Sequence, residues 1–243
     1  MKEACYFGSR NLYADMVSAV KSLLIHSDVE KVFLLIEDDE FPYALPDVVE
    51  TINISGIVPA IFDPNGPNYK SNWTYIGLIR AALTKVFPDL DSILSIDCDT
   101  IVDKDISDLW DIPIDGFYFA AAKEPLLSRN LNCLYVNAGV TLFNLKKLRE
   151  DGKEDEMIHL LNTKKLHFVA QDAMCECCQG GIKEIPSDYN ATNYTEPTVN
   201  KKVIHFAGDR NWRNYDIAKK YRDIPWQDID GKPFQISAVE KPL

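Results

Sequence analysis

Ser92-Ile-Leu-Ser-Ile-Asp97-Cys98-Asp99-Thr100-Ile-Val102 runs an apolar strand straight into two carboxylates with one residue between them. In an extended chain residues i and i+2 point the same way, so both acids face one point and repel each other unless a cation sits between them. Hard carboxylate oxygens suit Mg²⁺ or Mn²⁺, ions that keep open positions for water and substrate phosphates. The plain alternative is an acidic surface turn, and the buried-looking strand ahead of the acids argues for a site instead.

Outward from this stretch, residues 4–7 read as a short buried strand. Leu12, Met16, Val17, Val20, Leu23 and Leu24 recur at helical spacing, and Val32-Phe-Leu-Leu-Ile36 reads as a strand buried on both faces. The chain therefore opens with a β-α-β unit, which implies parallel pairing. Prolines punctuate the next segment, where either 48–54 or 57–62 supplies a strand. Residues 72–87 carry a helical pattern that stops at Pro88 and feeds the strand ending in Asp97. Further strands are expected at 117–122, at 140–143 just after Asn137-Ala-Gly139, and at 202–206. Helices are expected at 145–150, 154–161 and 171–178, the last stopped by Gly180-Gly181.

The expected architecture is an α/β domain with a mixed, mostly parallel, Rossmann-like sheet and helices on both faces. One domain covers 1–213, followed by a short extension over 214–243, since no linker or repeat breaks the chain. Ligands of such sheets sit beyond the carboxyl ends of strands, where Asp97 lies. Neither G-x-G-x-x-G nor a P-loop occurs, so phosphates must be held another way.

The 243 residues, 46% apolar, can build a sizeable core, and a net charge of −11 argues against nucleic acid or an anionic membrane as a bulk partner. An anionic ligand would need local compensation, a second reason to expect a metal. The six cysteines form no paired CxxC or disulfide framework and read as free thiols. Neither an export signal nor a membrane span is evident, which gives a cytoplasmic address by default. The sequons at Asn53, Asn72, Asn190 and Asn193 then read as chance matches.

His205, at the end of the last strand, is a suitable third ligand for a metal held by two carboxylates, although a lone strand histidine is more often part of a satisfied core. Taken in order, Arg80, Asp97-Cys-Asp99, Asn137-Ala-Gly-Val140, Gln171-Asp172 and His205-Phe-Ala-Gly208 resemble glycosyltransferase family 8, over roughly residues 4–213. The specificity lies in the ordered set, because each piece alone is common. The resemblance implies a GT-A fold, retention at the anomeric carbon, a UDP-sugar donor such as UDP-glucose or UDP-galactose, a saccharide or glycoconjugate acceptor, and Mn²⁺ (or Mg²⁺) on Asp97, Asp99 and His205.

By the same resemblance Arg80 sits near the donor and the metal acids, the alternative being an arginine solvating a helix face. Tyr13 is similar to a tyrosine near the nucleotide, with a core tyrosine as the alternative. Asn137 falls beside the donor sugar or is a turn residue before Gly139. Phe7, Cys98 and Gly208 complete the donor side. Gln171, Asp172 and Glu124 occupy the catalytic, sugar-facing positions, although Gln171-Asp172 also reads as an acidic helix N-terminus.

Two departures stand out. Ala170 replaces the first acid of the family's Asp-Gln-Asp, and Gly208-Asp-Arg-Asn-Trp212 replaces a loop ending in Lys-Pro-Trp, leaving Arg210 to supply the phosphate cation. They motivate a rival reading as a catalytically impaired sugar-nucleotide-binding protein. A second rival is a haloacid-dehalogenase-like phosphatase, which shares the strand-then-Asp-x-Asp pattern but usually begins with it.

Overall fold

The computed structural model describes residues 1–71, 73–127, 133–195, 200–226 and 229. Asn72 and most of the 214–243 extension beyond Trp226 lie outside the described residues. Nine strands are described: β1 Glu3–Phe7, β2 Lys31–Ile36, β3 Val49–Asn53, β4 Ser92–Ile96, β5 Thr100–Val102, β6 Phe119–Lys123, β7 Val136–Asn144, β8 Ile182–Ile185 and β9 Val203–His205. The α-helices are α1 Tyr13–His26, α2 Ile57–Ile61, α3 Leu83–Val86, α4 Leu145–Glu150, α5 Lys153–Thr163, α6 Ala170–Cys177 and α7 Asp216–Asp223.

Seven strands form one sheet in the order β3-β2-β1-β4-β7-β6-β8, and β5 pairs with β9 in a separate ribbon. Pairing is parallel throughout the sheet except around β7, which runs antiparallel to β4 and β6. The side-chain alternation of each strand divides two cores. Cys5, Leu35, Ile93 and Phe143 pack on one face, while Tyr6, Leu34, Leu94 and Leu142 pack on the other. Burial on both faces explains why these strands read as continuous apolar runs, and truncating a fully buried leucine such as Leu34 to alanine would cost about 2–5 kcal/mol.

Several expectations shift. Residues 49–53 supply the third strand, whereas 57–61 form α2, with Pro59 inside its first turn, where a missing N–H leaves no intrahelical bond unmade. The helical pattern at 72–87 is realised as a 3₁₀ stretch over Tyr75–Ala82 followed by α3. Asn137-Ala-Gly139 lies within β7 instead of in a turn before it. Two strands went unforeseen, β5 and β8, both too short for periodicity to declare. Helix α7 docks on α1: the Lys21 ammonium donates to the carbonyls of Arg222 and Ile224 at 3.1 and 2.6 Å, and Tyr221 is fully buried.

Candidate active site

Strand β4 ends at Ile96, and the Asp97 N–H donates to the Gly139 carbonyl of β7 at 2.8 Å, which anchors the acidic turn to the sheet. The chain then reverses into β5, whose Thr100 stands opposite His205 of β9. The Phe206 N–H donates to the Asp99 carbonyl at 2.9 Å. This ribbon delivers the imidazole to the acids. His205 Nε2 lies 3.4 Å from Asp99 Oδ1 and 3.6 Å from Asp97 Oδ2. Ligand atoms from all three residues fall within 4.8 Å of one another.

A buried chain of amides fixes the imidazole from behind. His205 Nδ1 bonds to Asn190 Oδ1 at 2.8 Å, and Asn190 Nδ2 donates to Asn137 Oδ1 at 2.9 Å. Asn137 Nδ2 in turn donates to Glu124 Oε2 at 2.7 Å. With Nδ1–H assigned as the donor to Asn190, Nε2 is turned toward the carboxylates, the arrangement that orients metal-bound histidines. Burial lowers the imidazole's affinity for a proton, yet the neighbouring Asp99 and Asp97 outweigh it and hold His205 above its ordinary value. Burial raises Asp99, but His205 draws it below the usual carboxylate range. Two carboxylates and one imidazole nitrogen fit a divalent cation of the Mn²⁺ or Mg²⁺ type.

On the other side, the Arg80 guanidinium pairs with Asp97 Oδ1 and lies over the Phe7 ring, 4.6 Å from its centroid. Its Nε is buried with no hydrogen-bond partner among the described residues. Cys98 donates from Sγ to the Phe7 carbonyl at 3.2 Å, and burial together with Asp97 and Asp99 raises its thiol well above the ordinary value, so it stays neutral. These groups border a cavity of about 540 Å³, within the roughly 300–1,000 Å³ of small-molecule sites.

The cavity gathers Phe7, Arg80, Asp97, Cys98, Asp99, Glu124, Asn137, Gln171, His205 and Gly208, and leaves out Tyr13, Asp172 and Arg210. The Tyr13 hydroxyl is turned to Asp38, donating at 2.8 Å, and accepts from the Glu37 N–H. In place of Arg210 the cavity wall holds Arg213, whose guanidinium is gripped by Asp15 of α1, with Nε 2.8 and 2.9 Å from the two carboxylate oxygens. Sequence reasoning missed both Asp15 and Arg213. An acid set between the apolar positions Leu12 and Met16 was the available signal for Asp15. Asn190 was also missed, read as a sequon when its amide is 2% exposed and serves His205.

Gln171 and Asp172 are neighbours on α6 with different surroundings. Gln171 Oε1 accepts from the Ala138 N–H at 3.0 Å, and Nε2 donates to the Tyr135 hydroxyl at 3.2 Å. Asp172 instead borders a second cavity; its Oδ2 accepts from the N–H groups of His167 and Phe168, each at 2.8 Å, and its Oδ1 accepts from the Tyr135 hydroxyl. The turn before α6 is strained. Val169 has φ 47° and ψ −109°, the single non-glycine positive φ among the described residues. Gln171 N–H donates to the Phe168 carbonyl at 3.0 Å, so 168–171 form a type II′ turn, which wants glycine at its first central position. A β-branched residue there costs about 1–3 kcal/mol.

The chain matches the family model Glycosyl transferase family 8 over residues 9–215. It belongs to that family, and its fold is of the GT-A type. It is 23% identical over 217 residues to a putative glycosyltransferase of Haemophilus influenzae, covering 82% of this chain and 66% of the relative. It is 26% identical over 176 residues to a lipopolysaccharide 1,2-glucosyltransferase of Escherichia coli, covering 57% and 51%. The chain thus spans between about half and two thirds of these relatives. Among solved structures, the galactosyltransferase LgtC in complex with donor and acceptor sugar analogues superposes with a TM-score of 0.74 at 18% identity, over 93% of this chain and 98% of that one. The glycosyltransferase GlyE of Streptococcus pneumoniae gives 0.72 at 17% identity, over 94% and 62%. Family membership sets aside the phosphatase alternative. No helix among the described residues is long and apolar enough to cross a membrane.

Proposed function

We propose that this chain is a metal-dependent hexosyltransferase that moves glucose or galactose from its UDP-sugar to a saccharide or glycoconjugate acceptor, with retention at the anomeric carbon. The observation that carries this reading is the meeting of Asp97, Asp99 and His205 on the wall of a cavity large enough for a nucleotide sugar. A divalent cation held there supplies charge to offset that of the departing diphosphate.

The chain's own residues do the rest. Arg80, on the cavity wall, fixes the Asp97 carboxylate. Arg213 presents a fixed cation in place of the family's loop lysine. Gln171, oriented by Ala138 and Tyr135, offers an amide to the donor sugar. Asp172 is engaged by three donors and turned to the second cavity, which supports a front-face route with the departing phosphate oxygen as base over a double displacement on this acid.

The test is a thermal-shift panel of UDP-glucose, UDP-galactose and other sugar nucleotides with and without Mn²⁺, coupled to an assay of UDP release. Ligands raise the melting temperature only by binding the native state. A Mn²⁺-dependent shift, lost in Asp99→Asn, together with UDP release, is expected. A shift without release would favour the impaired-binder reading that Ala170 suggests, and a shift unchanged in Asp99→Asn would sink the ligand assignment.

A further inference from the structure

The Asp172 carboxylate spans a gap between a turn and Tyr135, the residue just ahead of β7. One oxygen takes the N–H groups of His167 and Phe168, and the other takes the Tyr135 hydroxyl, which itself accepts from Gln171 Nε2. The turn so gripped is the type II′ turn that forces Val169 to φ 47°. An L-residue with a branched Cβ leaves that conformation unless its surroundings over-determine it. Two charge-assisted bonds to the N–H groups just ahead of Val169 do so, since they fix the peptide planes from which the turn departs. The turn's hydrogen bond ends on the backbone N–H of Gln171, whose amide faces the main cavity.

We propose that Asp172 is a positioning residue whose carboxylate holds the strained 168–171 turn and the Tyr135 hydroxyl so that the Gln171 amide is aimed at the donor sugar. The consequence for catalysis rests on the glycosyl-transfer reading above; the consequence for the turn does not. Strain at Val169 is the device's signature. Glycine adopts positive φ without penalty, so it should make the turn independent of Asp172, whereas alanine should not. Asparagine at 172 keeps one oxygen for the two N–H groups and so keeps the turn.

The experiment compares Asp172→Ala, Asp172→Asn, and Asp172→Ala combined with Val169→Gly or with Val169→Ala, measuring kcat and KM with UDP-glucose and UDP-galactose plus Mn²⁺ and melting temperature for each. Misaiming by about 1 Å costs about 100-fold in rate, so Asp172→Ala should lose about that much kcat with donor KM changed less than about threefold. Asp172→Asn should retain at least about tenfold more kcat than Asp172→Ala. Adding Val169→Gly to Asp172→Ala should recover about tenfold, and adding Val169→Ala should recover none. Equal inactivity of Asp172→Ala and Asp172→Asn, or no advantage of glycine over alanine at 169 in the folded double variants, overturns the proposal. Should the unaltered protein turn over no sugar nucleotide, the function is refuted and melting temperatures alone decide. With Asp172 present, Val169→Gly must then melt above Val169→Ala, and the gap must shrink in Asp172→Ala; a gap that is absent or undiminished overturns it.

Discussion

A Cβ added to Gly139 would lie 2.2 Å from Cε1 and 2.4 Å from Nδ1 of His205, so the imidazole occupies the space that any other residue on β7 would fill. Gly139→Ala must push the ring away from Asp97 and Asp99. The expected outcome is loss of the Mn²⁺-dependent rise in melting temperature, with a far-UV circular dichroism spectrum like that of the unaltered protein. A retained rise would show that the ring does not need its present seat.

Among the described residues, Asn190 is the hydrogen-bond partner of His205 Nδ1, at 2.8 Å. Removing such an outer partner typically weakens metal affinity about 10- to 100-fold. Asn190→Ala should therefore weaken Mn²⁺ binding by that factor in calorimetric titration. Affinity within about twofold of the unaltered protein would make the amide chain a packing feature only.

Arg213 is half-exposed at the cavity while its partner Asp15 is buried. Replacing Arg213 alone would orphan a buried carboxylate, which is strongly destabilising. The informative variant is thus the pair Asp15→Asn with Arg213→Met. It should weaken UDP about five- to tenfold, and UDP binding should become less sensitive to salt. Unchanged UDP affinity would move the diphosphate away from this wall.

Glu154, in the first turn of α5, is buried and accepts from the Thr84 N–H at 2.9 Å and from the Thr84 hydroxyl. Burial raises its carboxyl above the ordinary value despite those bonds. The folded chain therefore holds this proton more tightly than the unfolded chain. The associated stability is complete below the unfolded value near about 4.3 and is lost as pH rises through the folded value. The melting temperature of Glu154→Gln, uncharged at any pH, should gain on that of the unaltered protein between about pH 4 and pH 7. A difference that is flat across this range would contradict the raised carboxyl.

The β-α-β opening, β4 and the acidic turn were legible because burial on both faces writes itself as continuous apolar runs ending in charge. So was the arrival of His205 near Asp97 and Asp99, which the β5–β9 register accomplishes. The reversal of β7 was not legible, since an apolar strand reads alike in either direction. Nor was Asn190, whose partners His205 and Asn137 lie 15 and 53 positions away. Ala138, Val169 and Tyr135 decide how Gln171 points, and each acts through backbone geometry or a hydroxyl that composition does not reveal. Asp172 shows the limit most sharply. Its residue type suggested chemistry at the sugar, whereas its bonds run to His167, Phe168 and Tyr135.

The ribbon of β5 and β9 also has a meaning in time. Asp99 is added to the growing chain 106 residues before His205. A nascent chain halted before β9 would carry the acids without their third donor, and so could not close the proposed cation site. Capture of the proposed ion is thereby tied to synthesis of β9, and fragments ending short of residue 205 should bind Mn²⁺ no better than an ordinary pair of aspartates.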